Sequence, residues 1–167
     1  AAERALLSAT REAADAVIDT SDLTGRELRD RLVSDALESE ERVGVRLTSF
    51  GYKHGIPLEA DLVFDVRSAA NPHWVPELRP LDGRSKEISD YVLGDPVGAE
   101  LTASIRGYLQ ETLAAYLADG RGRLSIAIGC TGGRHRSVAI VEALAKSLAG
   151  VADGAPIVVE HRDILRS

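Results

Sequence analysis

The chain has 167 residues, the size of one compact domain with a short appendage, and its 44% apolar and 28% charged residues allow a real core and exclude wholesale disorder. No apolar run approaches the roughly 18–20 residues of a membrane-spanning helix, no charged-then-apolar leader opens the chain, and one cysteine with four scattered histidines argues against a disulfide framework or a zinc site, so a cytosolic setting is expected. The net charge of −6 speaks against a broad grip on nucleic acid, while arginine, supplying all but three of the 20 basic side chains, suits local phosphate recognition.

Residues 14–20 (A-D-A-V-I-D-T) read as a short strand running into a turn. Thr24 and Glu27 then form a capping-box signature, with Leu28, Leu32 and Ala36 along one helical face. Residues 35–42 (D-A-L-E-S-E-E-R) are charged and read as a linker. One strand and one helix cannot bury their own apolar faces. Residues 1–40 are therefore expected to be the tail end of a preceding domain, with the domain proper over 41–167. The absence of methionine, even at position 1, fits a piece of a longer protein.

Residues 43–50 (V-G-V-R-L-T-S-F) predict a strand ending at Gly51-Tyr52-Lys53-His54-Gly55. Residues 60–67 (A-D-L-V-F-D-V-R) predict a second, too apolar in its middle to face water on one side. Residues 69–98, with four prolines, form a long excursion holding at most one short helix, and such loops are usually functional. Leu101, Ile105, Leu109, Leu113 and Leu117 then mark a helix. Residues 124–129 (L-S-I-A-I-G) predict a strand covered on both faces. A second amphipathic helix follows from about Arg134 to Leu148, and residues 156–161 supply a last strand. Strands separated by helices imply an α/β fold, a mostly parallel sheet with helices on both sides.

The sharpest signal is G-C-T-G-G-R-H-R-S (129–137), between a buried-type strand and a helix. Adjacent glycines allow a turn whose amides point inward as an anion nest, and the helix adds its unpaired first-turn N–H groups. Thr131, Gly132, Gly133, Arg134, His135, Arg136 and Ser137 would complete a phosphate cage. Cys130, five residues, Arg136 and Ser137 also fit the loop of cysteine-dependent phosphatases, in which a thiolate attacks phosphorus. Those enzymes usually carry a histidine where Gly129 stands, and a general acid would have to be Asp82, Asp90 or Asp95. Ligands of open parallel sheets bind at the carboxyl ends of strands. Lys53, His54, Asp65, Arg67, Asn71 and His73 sit at or just after such ends and would converge with Arg136 on one pocket; local pairing of Asp65 with Arg67 and plain packing of His73 on Trp74 are the bland alternatives.

The runs F-G-Y-K-H-G (50–55), A-D-L-V-F-D-V-R (60–67), N-P-H-W-V-P-E-L-R-P-L (71–81), Y-V-L-G (91–94) and I-A-I-G-C-T-G-G-R-H-R-S-V (126–138), with V-I-D-T-S (17–21) and H-R-D (161–163), together resemble the RapZ family of nucleotide-binding RNase adapter proteins over nearly the whole chain. The resemblance implies an upstream P-loop domain that binds and hydrolyses ATP or GTP; no G-x-x-x-x-G-K-[ST] occurs in this chain, so no nucleotide cofactor is expected within it. It further implies a phosphofructokinase-subdomain-like fold, homo-oligomers, sensing of glucosamine-6-phosphate, and binding of small regulatory RNA for presentation to an RNase. By motif match the sugar-phosphate pocket maps to Asp65, His73, Cys130, Thr131, Gly132, His135 and Arg136, with Lys53 nearby. RNA-binding members carry a basic C-terminal tail, whereas this chain ends H-R-D-I-L-R-S.

Overall fold

A computed structural model describes residues 14, 17–21, 23–28, 44–118, 124–149 and 156–166. The chain divides into two compact units, Ala1–Glu41 and Arg42–Ser167.

In the first unit, residues 17–20 belong to no strand, contrary to expectation. Asp19 folds the chain back instead, its carboxylate accepting from the Ser21 amide at 3.0 Å and hydroxyl at 2.6 Å, a turn that competes with extended pairing. The capping box is formed. Glu27 Oε2 accepts from the Thr24 amide (2.8 Å) and hydroxyl (2.7 Å), the Thr24 hydroxyl accepts from the Glu27 amide (3.3 Å), and residues 25–28 are helical. Leu32, Ala36 and the charged stretch after them lie outside the described residues.

The second unit is an α/β fold with a wholly parallel four-stranded sheet. Its elements are β1 (Val45–Gly51), β2 (Leu62–Asp65), α1 (Lys86–Gly94), α2 (Pro96–Ala118), β3 (Leu124–Cys130), α3 (Arg136–Leu148) and β4 (Ile157–His161), in spatial order β2-β3-β1-β4. Both helical crossovers, β2 to β3 and β3 to β4, step the same way along the sheet, and right-handed connections then place their helices on one face. Accordingly α3 lies on β1, β3 and β4, while α1 and α2 pack against α3 and each other. The one reverse step, β1 to β2, is made by residues 52–61 with only a 3-10 turn. Helices thus flank the parallel sheet, as expected.

The core fills the space between that face and the helices. Val45, Leu47, Leu124, Ile126 and Ile128 from the sheet meet Ile88, Val92, Ile105, Leu109, Ile140 and Leu144. Central β3 is buried along its whole length. β2 is an edge strand and corrects the expectation made for it: burial alternates along Leu62–Asp65, and Val63 is 41% exposed. The excursion holds one α-helix, α1, capped by Ser85 through the Ile88 amide. Asp95 then separates it from α2, accepting from the Gly98 amide at 3.0 Å with Pro96 at the first helical position.

Three strand ends come together by register. Gly51 lies opposite Cys130, and Asp65 opposite Gly129. No helix among the described residues is long and apolar enough to cross a membrane.

Candidate functional site

Two glycines at the end of β3 and in the loop after it, Gly129 and Gly133, leave no room for a side chain. A Cβ on Gly129 would run into the Phe50 ring and lie 2.6 Å from Tyr52. Gly133 has φ +79°, and a Cβ there would sit 2.7 Å from the Gly51 amide nitrogen and 2.8 Å from Asp163 Cβ. Such a left-handed turn at so close an approach is open to glycine alone. Residues 131–135 bend without turn hydrogen bonds. Among the described residues the amides of Thr131, Gly132 and His135 meet no acceptor.

Two members of the anticipated cage serve the loop itself. The Gly133 amide donates to Cys130 Sγ at 3.2 Å, and the fully buried Ser137 hydroxyl lies 3.2 Å from the same sulfur. Gly133 and Ser137 thus brace the thiol beneath the loop.

Around the loop, Lys53, Asn71, His73, Trp74, Cys130, Thr131, Gly132, Arg134, His135 and Arg136 line a cavity of about 380 Å³. Its walls come from the turn after β1, the first part of the excursion and the loop after β3. The excursion is held by side chains of residues 134–136. Arg134 donates to the carbonyls of Leu81 (3.0 Å) and Pro80 (2.7 Å). His135 Nε2 lies 2.9 Å from the Leu81 carbonyl and 3.3 Å from that of Arg79, so this nitrogen carries the ring proton. Arg136 donates to the carbonyls of Arg67 and Ala69 and to the Thr131 hydroxyl at 3.1 Å.

The electrostatics are one-sided. No carboxylate lines the cavity. The Arg136 guanidinium, only 6% exposed as a residue, bonds neutral oxygens. The Lys53 ammonium has no bonded partner among the described residues and stands 3.9 Å from where a Cβ of Gly132 would be. Burial pushes the His135 imidazole below its usual range, against the pull of the two carbonyls. This is a neutral donor among cations.

His54, Asp65 and Arg67, also singled out from sequence, lie off the lining. Arg67 binds Asp65 through its Nε (3.0 Å), Nη2 (2.7 Å) and amide (2.9 Å) and rests 4.2 Å over the Tyr52 ring. Its hydrogen bonds hold the Asp65 carboxyl below the usual range, with a further contribution from the charge of Arg136. His54 lies close enough to Asp163 for a positive charge on it to favour that carboxylate. Trp74 is the lining residue that sequence reading left as packing; its signal was a bulky aromatic directly after Asn71-Pro72-His73.

For phosphatase chemistry the parts are poorly set. Gly129 has no room for a histidine. Asp82 is paired with Arg84 at 2.8 Å, Asp90 bonds Lys86, Asp95 caps α2, and none of the three reaches the cavity. Among the described residues no group of three or more His, Cys, Asp or Glu is placed to hold a metal ion.

A family model described as the RapZ C-terminal domain matches residues 43–165. The chain is 47% identical over 167 residues to a nucleotide-binding protein of Mycolicibacterium gilvum, covering 99% of this chain and 51% of that protein. It is 46% identical to a nucleotide-binding protein of Rhodococcus jostii and 48% identical to one of Streptomyces griseus, covering 99% of this chain and 55% and 50% of theirs. The chain thus spans about half the length of these curated relatives.

Proposed function

This chain belongs to the RapZ C-terminal domain family, and from that premise we propose that its second unit is a sensor domain that binds a phosphorylated metabolite, an amino sugar phosphate of the glucosamine-6-phosphate type, without chemistry of its own. One observation carries the reading: Lys53, Arg136 and the glycine-loop residues Thr131 and Gly132 line a cavity that has no carboxylate in its lining. A dianionic phosphate would accept from those amides and from Arg136, as anions do at glycine loops that open a helix. Asp65, the carboxylate that feels the charge of Arg136, is the group to meet a sugar amine once turned from Arg67. The nucleotide named for the relatives binds, in this reading, in the half of those proteins that the chain does not span.

A grip on RNA has less to rest on. Two of the exposed cations, Arg67 and Arg84, are paired with Asp65 and Asp82, and the chain carries −6 overall. Calorimetry with glucosamine-6-phosphate tests the proposal, alongside turnover of an aryl phosphate. Saturable binding without turnover is the expected result. Turnover lost on Cys130→Ser would replace the sensor with a phosphatase, and no binding up to about 10 mM, the weak end for a specific site, would end the proposal.

A further inference from the structure

Trp74 is 75% exposed, an unusual position for the largest apolar side chain, since leaving it in water forgoes its burial. The turn that carries it is held in place. Trp74 ends a 3-10 turn, Pro72–Trp74, that Asn71 caps: the Asn71 carbonyl accepts from the Trp74 amide at 3.3 Å and its side chain from the His73 amide at 3.3 Å. The Val75 amide closes the turn on Pro72 (3.0 Å), and Arg79 Nε donates to the His73 carbonyl at 3.0 Å. The indole stands edge-on to the His73 ring, centroids 5.6 Å apart and planes at 76°. It is thus an aromatic wall, carried on a hydrogen-bonded turn, of a cavity that Lys53, Arg134 and Arg136 also line.

The cavity is also larger than an oxyanion needs. At about 30 Å³ per water, its volume of about 380 Å³ equals roughly a dozen water molecules, and a five-atom phosphate leaves most of it unfilled. It lies within the range of pockets that enclose organic ligands. We propose that Trp74 is the specificity-determining residue of this cavity, stacking on the ring of a cyclic phosphate monoester whose phosphate sits at the glycine loop. The site then selects a ring-bearing phosphate over inorganic phosphate or an acyclic ester. This rests on the sugar-phosphate reading above and adds the residue that selects the ring.

The test uses the full chain and four probes: glucose-6-phosphate, AMP, glycerol-3-phosphate and inorganic phosphate. Trp74 is the chain's single tryptophan, so its fluorescence reports the contact directly. Emission is expected to change with a ring-bearing probe and to stay unchanged with inorganic phosphate; glucose-6-phosphate and AMP separate a sugar ring from a base as the stacked face. In Trp74→Ala the preference for the better ring-bearing probe over glycerol-3-phosphate falls about tenfold, the size of one aromatic stack, and Trp74→Phe restores most of it. A preference unchanged in Trp74→Ala overturns the assignment. Failure of all four probes to bind the unmodified chain would instead remove the anion site itself, and this inference with it.

Discussion

The turn after β4 and the loop after β3 each gather arginines, and they dispose of the charge differently. After β4, Arg162 holds the fully buried Asp163 carboxylate at 2.7 Å, Arg166 reaches it at 3.5 Å, and the Gly51 amide donates to it at 2.8 Å. Burial raises the Asp163 carboxyl, yet Arg162 and the amide outweigh burial and hold it below the usual range. After β3, Arg136 bonds carbonyls and a hydroxyl, and Lys53 bonds nothing through its ammonium among the described residues. Cations matched by carboxylates on the same chain brace the fold. Cations left with neutral oxygens at a cavity wall keep their charge available to an anion from outside.

The comparison breaks most visibly at Asp163. Asp163→Ala strands Arg162 and the Gly51 amide, and a loss of about 3–5 kcal/mol in urea unfolding is expected, the usual cost of removing one partner of a buried pair. A loss under about 1 kcal/mol would deny that end its bracing role. Gly133→Ala strains a φ of +79° and crowds Gly51 and Asp163, so about 3 kcal/mol of destabilisation is expected from strain and overpacking together. Arg136→Lys, by contrast, keeps a positive charge but loses the planar fork. Calorimetry should show phosphate-ester affinity down about a hundredfold, roughly the worth of charge-assisted hydrogen bonds lost at a bidentate site.

Smaller effects sharpen the same contrast. With its folded pKa pushed down by burial, His135 stays neutral while the unfolded chain protonates near pH 6.5. Its stabilising contribution is full above that pH and fades as pH falls through the lowered folded value. Urea midpoints should therefore drop between about pH 7 and the folded value, less so in His135→Gln. Asp65→Asn, at the exposed pair with Arg67, should change stability by less than about 1 kcal/mol.

Much of this was legible in the chain. The G-C-T-G-G-R-H-R run between an apolar strand and an amphipathic helix marked the loop, because a close-packed bend between a strand and a helix needs a glycine. Strand-end residues predicted the convergence of Lys53, Asn71 and His73 with Arg136, since parallel strands aim their carboxyl ends one way. Pairing preferences were hidden. Asp65 and Arg67, two apart on an exposed edge, satisfy each other, and Ser137 turns under the loop to Cys130. β2 read as interior because Leu62, Val63 and Phe64 are all apolar, whereas its place at the edge depends on sheet order, a long-range fact. Trp74 went unassigned because exposure is a property of the fold.

The most direct measurement follows backbone amide shifts while a phosphate ester is titrated into the isotope-labelled chain. The largest movements are expected at Thr131, Gly132 and His135, with the Arg136 side chain following and the turn around Asp163 still. Saturable binding that leaves those three amides unmoved, or moves the Asp163 turn instead, would contradict the separation of the two charge clusters.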